Sequence, residues 1–178
     1  MLQNTMPKMI WSALVFLFLS TAQSNEVAWV NLSLSPSRLL KGVGELNSEL
    51  PLRQNWSLAA ITAYGRAPDT WNIDLGIQGR YYGLGSAQSG GFIASEIRYA
   101  NILYRNEQDN FDAFFIQPAL FLGGKYQFDI GLTMDAGFGV GYSQTIVSEL
   151  NQRGAIHMGS WERLFRLNIG WMLKRSER

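Results

Sequence analysis

Few residues of this chain could do acid–base or nucleophilic work. The sequence of 178 residues has one histidine and no cysteine. The histidine is His157, with Ser160 and Glu162 shortly after it. An imidazole, a hydroxyl and a carboxylate are the parts of a nucleophilic triad, in which the acid orients the base and the base takes the hydroxyl proton. A triad is defined by geometry in space, and closeness in sequence alone does not assemble one. A single histidine in a polar connection is ordinarily solvated surface, so no catalytic residue is assigned. One His and no Cys exclude the usual zinc sites, so no metal and no cofactor are expected. The glycines of Gly137-Phe138-Gly139-Val140-Gly141 do not make a nucleotide-binding loop, because they alternate within a strand pattern and no helix follows.

The remaining chemistry lies in charges placed opposite apolar faces. Phe128–Tyr142 alternates along its whole length. Ile130, Leu132, Met134, Ala136, Phe138, Val140 and Tyr142 share one face. Asp129, Gly131, Thr133, Asp135, Gly137, Gly139 and Gly141 share the other, which suits a wet or polar interior. Successive strand side chains point to opposite faces, so this is a β-strand with one apolar side. It exceeds the usual length of about 5–6 residues. Strands of about ten residues, apolar outside and polar inside, are the signature of a membrane β-barrel.

The start of the chain carries its own pattern. Lys8 precedes an apolar run, Met9–Leu19, and then Ser20-Thr21-Ala22-Gln23-Ser24. This is the order of a cleaved secretory signal, expected over residues 1–24. Residues 25–178 are then one domain. With no cysteine, an exported chain has no disulfides, and closing a barrel is another way to hold it together. The chain has 15 Lys and Arg against 14 Asp and Glu, and without Lys8 the two balance, so nucleic acid is not an expected partner. Charged residues make up 16% of the chain, below the roughly 25% typical of soluble domains.

Eight segments read as strands: 27–35, 41–50, 56–66, 71–83, 92–104, 111–126, 128–142 and 161–173. Pro36 and Pro51 are expected to stop the first two, since proline cannot donate to a ladder. The 84–91 stretch reads as a flexible connection, and Gln144–Ser160 as the longest external loop. No helical periodicity is visible after residue 25. Short links between consecutive strands predict an all-β, eight-stranded, antiparallel up-and-down transmembrane barrel.

The alternation sends Glu45, Asp74, Glu96 and Asp135 inward, with Arg80, Arg98, Lys125 and Arg166. Four carboxylates against four cations form a candidate lumen charge network. An eight-stranded barrel leaves room inside only for side chains, so unpaired charges there would be costly. Tyr82, Phe115 and Phe121 should fill the lumen further. Leu132, Met134, Phe138, Val140, Leu167 and Ile169 are the expected lipid-facing residues. A soluble barrel with the faces reversed would crowd Trp56, Trp71, Phe138 and Trp171 into one small centre.

Gln78-Gly79-Arg80-Tyr81-Tyr82, Gly123-Gly124-Lys125-Tyr126 and the alternating Phe128–Tyr142 carry a resemblance. The chain resembles the small eight-stranded outer-membrane barrels, the group of the OmpA membrane domain, OmpX and OmpW. Such proteins usually end on an aromatic residue, whereas this chain follows Trp171-Met172-Leu173 with Lys174-Arg175-Ser176-Glu177-Arg178. The resemblance implies a bacterial outer-membrane location, a monomer, and contact with outer-membrane lipid, lipopolysaccharide and the barrel assembly machinery. The function it implies is structural or surface-interacting, around a packed polar lumen. The alternatives are a narrow channel for small or hydrophobic solutes, and an enzyme modifying lipid A through His157, Ser160 and Glu162.

Overall fold

A strand edge presents unpaired N–H and C=O groups, and a ring of strands leaves no edge. A computed structural model of the chain describes residues 29–67, 70–105, 110–149 and 155–174. Its elements are β1 (Trp29–Leu34), a single helical turn α1 (Pro36–Leu39), β2 (Val43–Arg53), β3 (Trp56–Ala67), β4 (Thr70–Gly85), β5 (Gly90–Arg105), β6 (Asn110–Gln127), β7 (Leu132–Glu149) and β8 (Ala155–Lys174). Each strand pairs with the next, and β8 returns antiparallel to β1 to close the barrel. The segment read as a secretory signal, 1–24, lies outside the described residues, as does the tail 175–178.

The register carries a fixed stagger. Partners followed from Asn31 through Glu49, Ala59, Gln78, Glu96, Ala119 and Gly141 lead to Glu162, whereas Asn31 itself pairs with Met172, a displacement of 10 residues. Such stagger on eight strands goes with a tilt of roughly 35–45° and an interior filled by side chains. One end of the barrel holds the tight turns after β2, β4 and β6. The other holds α1 and the connections after β3, β5 and β7.

Several boundaries differ from the sequence reading. Phe128–Gly131 is a turn rather than strand: the Phe128 N–H donates to Leu132 O at 2.9 Å and the Gly131 N–H to Phe128 O at 2.9 Å. Gly131 has φ +87°, a left-handed conformation that glycine adopts without steric cost. Asp129 is therefore exposed in a turn and does not face the lumen. Pro51 does not end β2; it pairs with Ser57, and the register slips between Pro51 and Arg53. A bulge beside a hairpin tolerates the missing N–H. Pro36 does end β1 and opens α1, a helical turn too short to show periodicity. Gln144–Ser160 is not a loop: β7 continues to Glu149 and β8 begins at Ala155, leaving only 150–154 outside the described residues. Its mixture of small and polar residues hid a paired ladder that runs from Gln144↔Gly159 to Ser148↔Ala155. The connection expected over 84–91 shrinks to 86–89.

The inward glycines of β7 make room for bulk rather than water. A Cβ at Gly139 would collide with the Phe121 ring and the Leu120 carbonyl. Phe121 joins Trp29, Tyr82, Phe92 and Met172 in a buried cluster inside the barrel, with Leu164 packed against it. Gly139→Ala should therefore destabilise the barrel by about 1–3 kcal/mol through overpacking. Gly124→Ala, where an added Cβ meets nothing within 4 Å, should stay within about 0.5 kcal/mol. Urea unfolding of the refolded protein measures both, and equal midpoints would show that the β7 glycines do not shape the interior.

Candidate functional site in the charged lumen

Strand alternation delivers the inward residues. The side chains of Glu45, Asp74, Arg80, Glu96, Arg98, Lys125, Asp135 and Arg166 are all buried, and all lie within the barrel. Two further charges belong with them. The sequence reading missed Glu49, although it shares the β2 parity of Glu45 and the alternation could have found it. Arg38 sits on α1, where no periodicity points inward. Five carboxylates, Glu45, Glu49, Asp74, Glu96 and Asp135, thus face five cations, Arg38, Arg80, Arg98, Lys125 and Arg166.

Near the tight turns, Glu49 is the hub. Its carboxylate accepts from Lys125 Nζ at 2.8 Å, Arg80 Nη1 at 3.2 Å, Tyr82 Oη at 2.7 Å and Ser57 Oγ at 2.6 Å. Lys125 also donates to the Ala87 carbonyl at 3.1 Å. Arg80 Nη1 lies 3.6 Å from Asp135, which accepts from Asn168 Nδ2 at 2.9 Å.

Toward α1, Glu96 is the hub. It takes two bonds from Arg166, at 2.6 and 2.9 Å, and one from Arg98 Nε at 3.2 Å. Arg98 Nη1 reaches Glu45 at 2.8 Å and Asp74 at 3.5 Å. Arg38 enters from α1, 3.3 Å from Glu45 and hydrogen-bonded to Asp74. Gln78 joins the two groups: it accepts from Arg80 Nε at 2.6 Å and donates to Glu96 at 2.8 Å. The whole is one hydrogen-bonded chain along the lumen.

Removing ions from water costs several kcal/mol each, and the loss is offset only with good geometry and further hydrogen bonds. Planar guanidinium groups suit this role because each reaches two or more carboxylates. Aromatic faces cover three of the cations. Arg80 lies 4.9 Å from the Phe92 ring centre, Lys125 4.8 Å from Trp29 and Arg166 4.7 Å from Phe121. These contacts add favourable electrostatics in a desolvated site.

A cleft of about 590 Å³ opens at the turn end, where Ala87 lines it, and one of about 200 Å³ opens at the α1 end, lined in part by Asp74 and Arg98. The charge network runs from one to the other. Phe115, expected to fill the lumen, is only half-buried at the second. Leu132, Met134, Phe138, Val140, Leu167 and Ile169 lie on the outer face, with Phe138 70% exposed. His157 lies in β8 paired with Ile146, and its side chain lies outside the described residues. Ser160 pairs with Ser143 and Glu162 with Gly141, so all three sit on a continuous strand. Among the described residues, no group of His, Cys, Asp and Glu is arranged to hold a metal ion. Comparison with protein-family models, curated proteins and solved structures finds no match to this chain.

Breaking the network should cost more than removing a surface pair. Glu96→Ala leaves Arg166 and Arg98 short of a partner and should destabilise by about 3–5 kcal/mol. Adding Arg166→Met to that variant should recover part of the loss, since an apolar replacement removes an uncompensated buried charge. Urea midpoints of the single and double variants test this. A double variant weaker than Glu96→Ala alone would show that Arg166 does not depend on Glu96.

Proposed function

We propose that the chain is an integral barrel of a bacterial outer membrane, with a structural or surface-interaction role and a lumen sealed by its own charges. The observation that carries this reading is the partition of side chains. Charged groups are buried inside, while Leu120, Leu122, Ile93, Phe138, Phe165 and Ile77 lie exposed on the outer face. Soluble monomers rarely expose contiguous apolar patches beyond a few hundred Å². Lipid is the solvent such a surface suits, and a closed ladder suits lipid because it satisfies its own backbone groups.

Aromatic placement supports the same reading. Trp56–Tyr81 and Tyr126–Phe128 pairs, with Trp171, cluster at the turn end of the outer face. Tyr64–Trp71 and Tyr142–Trp161 pairs sit toward the α1 end. Trp161 and Trp171 are ten positions apart on β8, both exposed. At about 3.3 Å per residue and a tilt near 40°, they stand about 25 Å apart along the barrel axis. That is about the height of the apolar band of an outer-membrane barrel, which aromatic girdles flank. An eight-stranded up-and-down ring is also the layout implied by the sequence motifs that resemble the OmpA membrane-domain, OmpX and OmpW group. On this reading the export signal is removed, the assembly machinery inserts the monomer, and lipid and lipopolysaccharide surround it.

Folded barrels of this class resist detergent until heated, so an unheated sample should run at a different gel position from a boiled one. Identical mobility with and without heating would count against the membrane reading. Phe138→Arg, mid-way along the apolar band, should cost roughly 2–4 kcal/mol of stability in lipid vesicles. Leu132→Arg, beside Trp171 at the girdle, should cost at most about 1 kcal/mol. Equal costs at the two positions would mean that no depth gradient surrounds the barrel.

A further inference from the structure

We propose that, given a barrel lying in an outer membrane as argued above, its outer wall at the α1 end holds the phosphates of an outer-leaflet lipid through Arg163, Arg66 and Lys41. Between the two aromatic levels, the outward positions of the described strands carry no charge with one exception. Arg163 faces outward on β8 between Trp161 and Phe165, opposite Val140 of β7, and is exposed. It stands two residues nearer the middle of the wall than Trp161. A charge on a lipid-facing strand is costly, and such a residue marks a function together with its partner. A long arginine lowers that cost by bending its head to the polar layer. No carboxylate pairs with Arg163 among the described residues.

Two more exposed cations stand in the same sector of the wall. Arg66, on the outer face of β3, lies 4.5 Å from the Trp71 ring centre. Lys41 follows α1, between β1 and β2. Strand spacing and tilt bring the Arg66 and Arg163 backbones within about 15 Å of each other, at nearly the same height. No carboxylate faces outward on β8, β1, β2 or β3 among the described residues, so these cations have no partner from the barrel itself. The wall is also notched here. β1 stops at Leu34, opposite Ile169, whereas β8 runs on to Ala155. Beyond Ile169, β8 has a ladder partner on one side only, and that edge offers backbone N–H donors. Leu34, Leu39 and Leu40 lie exposed at the notch, an apolar seat for an acyl chain. A guanidinium fork matches phosphate in charge and shape, and the aromatic girdle marks the level at which lipid phosphates begin.

Native mass spectrometry of the full chain, folded in detergent and mixed with bisphosphorylated lipid A, tests it. Lipid A should stay bound, and its dephosphorylated form should bind roughly tenfold more weakly. Arg163→Gln should weaken lipid A binding by a similar factor, Arg163→Lys by less, and both should keep the heat-modifiable gel shift. Inorganic phosphate in excess should not displace the lipid. In vesicles, Arg163→Leu should raise the urea midpoint when the lipid is phosphatidylcholine alone, because a lipid-facing charge is removed. It should lower the midpoint when lipid A is included, because a phosphate partner is lost. Equal binding of the two lipid A forms, displacement by inorganic phosphate, or the same shift of midpoint in both vesicles would overturn the proposal while leaving the membrane reading intact. A chain that inserts into neither vesicle would remove both.

Discussion

The rest of the structure depends on one constraint: an eight-stranded barrel is too narrow for water to solvate charges at its centre, so those charges must solvate one another. Glu49 shows how tightly this is met. Four donors from β3, β4 and β6 converge on its two oxygens. Without that carboxylate, Arg80 and Lys125 would face each other across a desolvated space. Gln78 is as consequential although it is neutral. It accepts from one charged group and donates to the other, which makes a single network of two clusters.

The same alternation that buries the network makes the outer face apolar, and this couples the two surfaces. A slip of one residue in any strand pairing would move its whole set of side chains to the opposite face. In β4 that would carry Asp74, Gln78 and Arg80 outward and bring Ile73, Ile77 and Tyr81 into the lumen. The buried charges therefore act as register marks as well as contacts. Their pairing across strands is satisfied only at the stagger of 10 residues that closes the ring. The glycines of β7 serve the same end by volume, since the Phe121 ring fits only where Gly139 faces it.

The strand number, their order and the facing of nearly every strand were legible in the sequence because period two is a strong signal over long strands. The eight charges read as inward are all buried in the lumen. What escaped the reading has physical causes. Alternation continues by chance through Phe128–Gly131, and the turn shows only in the backbone, in the left-handed φ of Gly131 and the hydrogen bonds closed around it. Proline is a poor stop signal beside a bulge: the register slips between Pro51 and Arg53, so Pro51 stays paired with Ser57 inside β2. The outer halves of β7 and β8 carry Gln144, Thr145, Met158 and Gly159, which lack the apolar face that marks strands elsewhere. Without an apolar face, alternation no longer marks a strand in the sequence.

Arg38 was illegible for a deeper reason, since it belongs to a connection and no strand parity governs it. Yet the charge balance requires it. The strands alone place five carboxylates in the lumen against four cations, and the deficit lies entirely at the α1 end. Glu49 and Asp135 are matched by Arg80 and Lys125 near the turns, whereas Glu45, Asp74 and Glu96 have only Arg98 and Arg166 from the strands. The α1 turn supplies the missing cation, held over the lumen by Ser35 Oγ donating to the Leu167 carbonyl at 3.3 Å. The first connection is thus a structural part of the lumen and not a spacer. Arg38, arriving from a connection, and Arg98 both engage Oδ2 of Asp74, while Oδ1 stays buried without a hydrogen-bond partner.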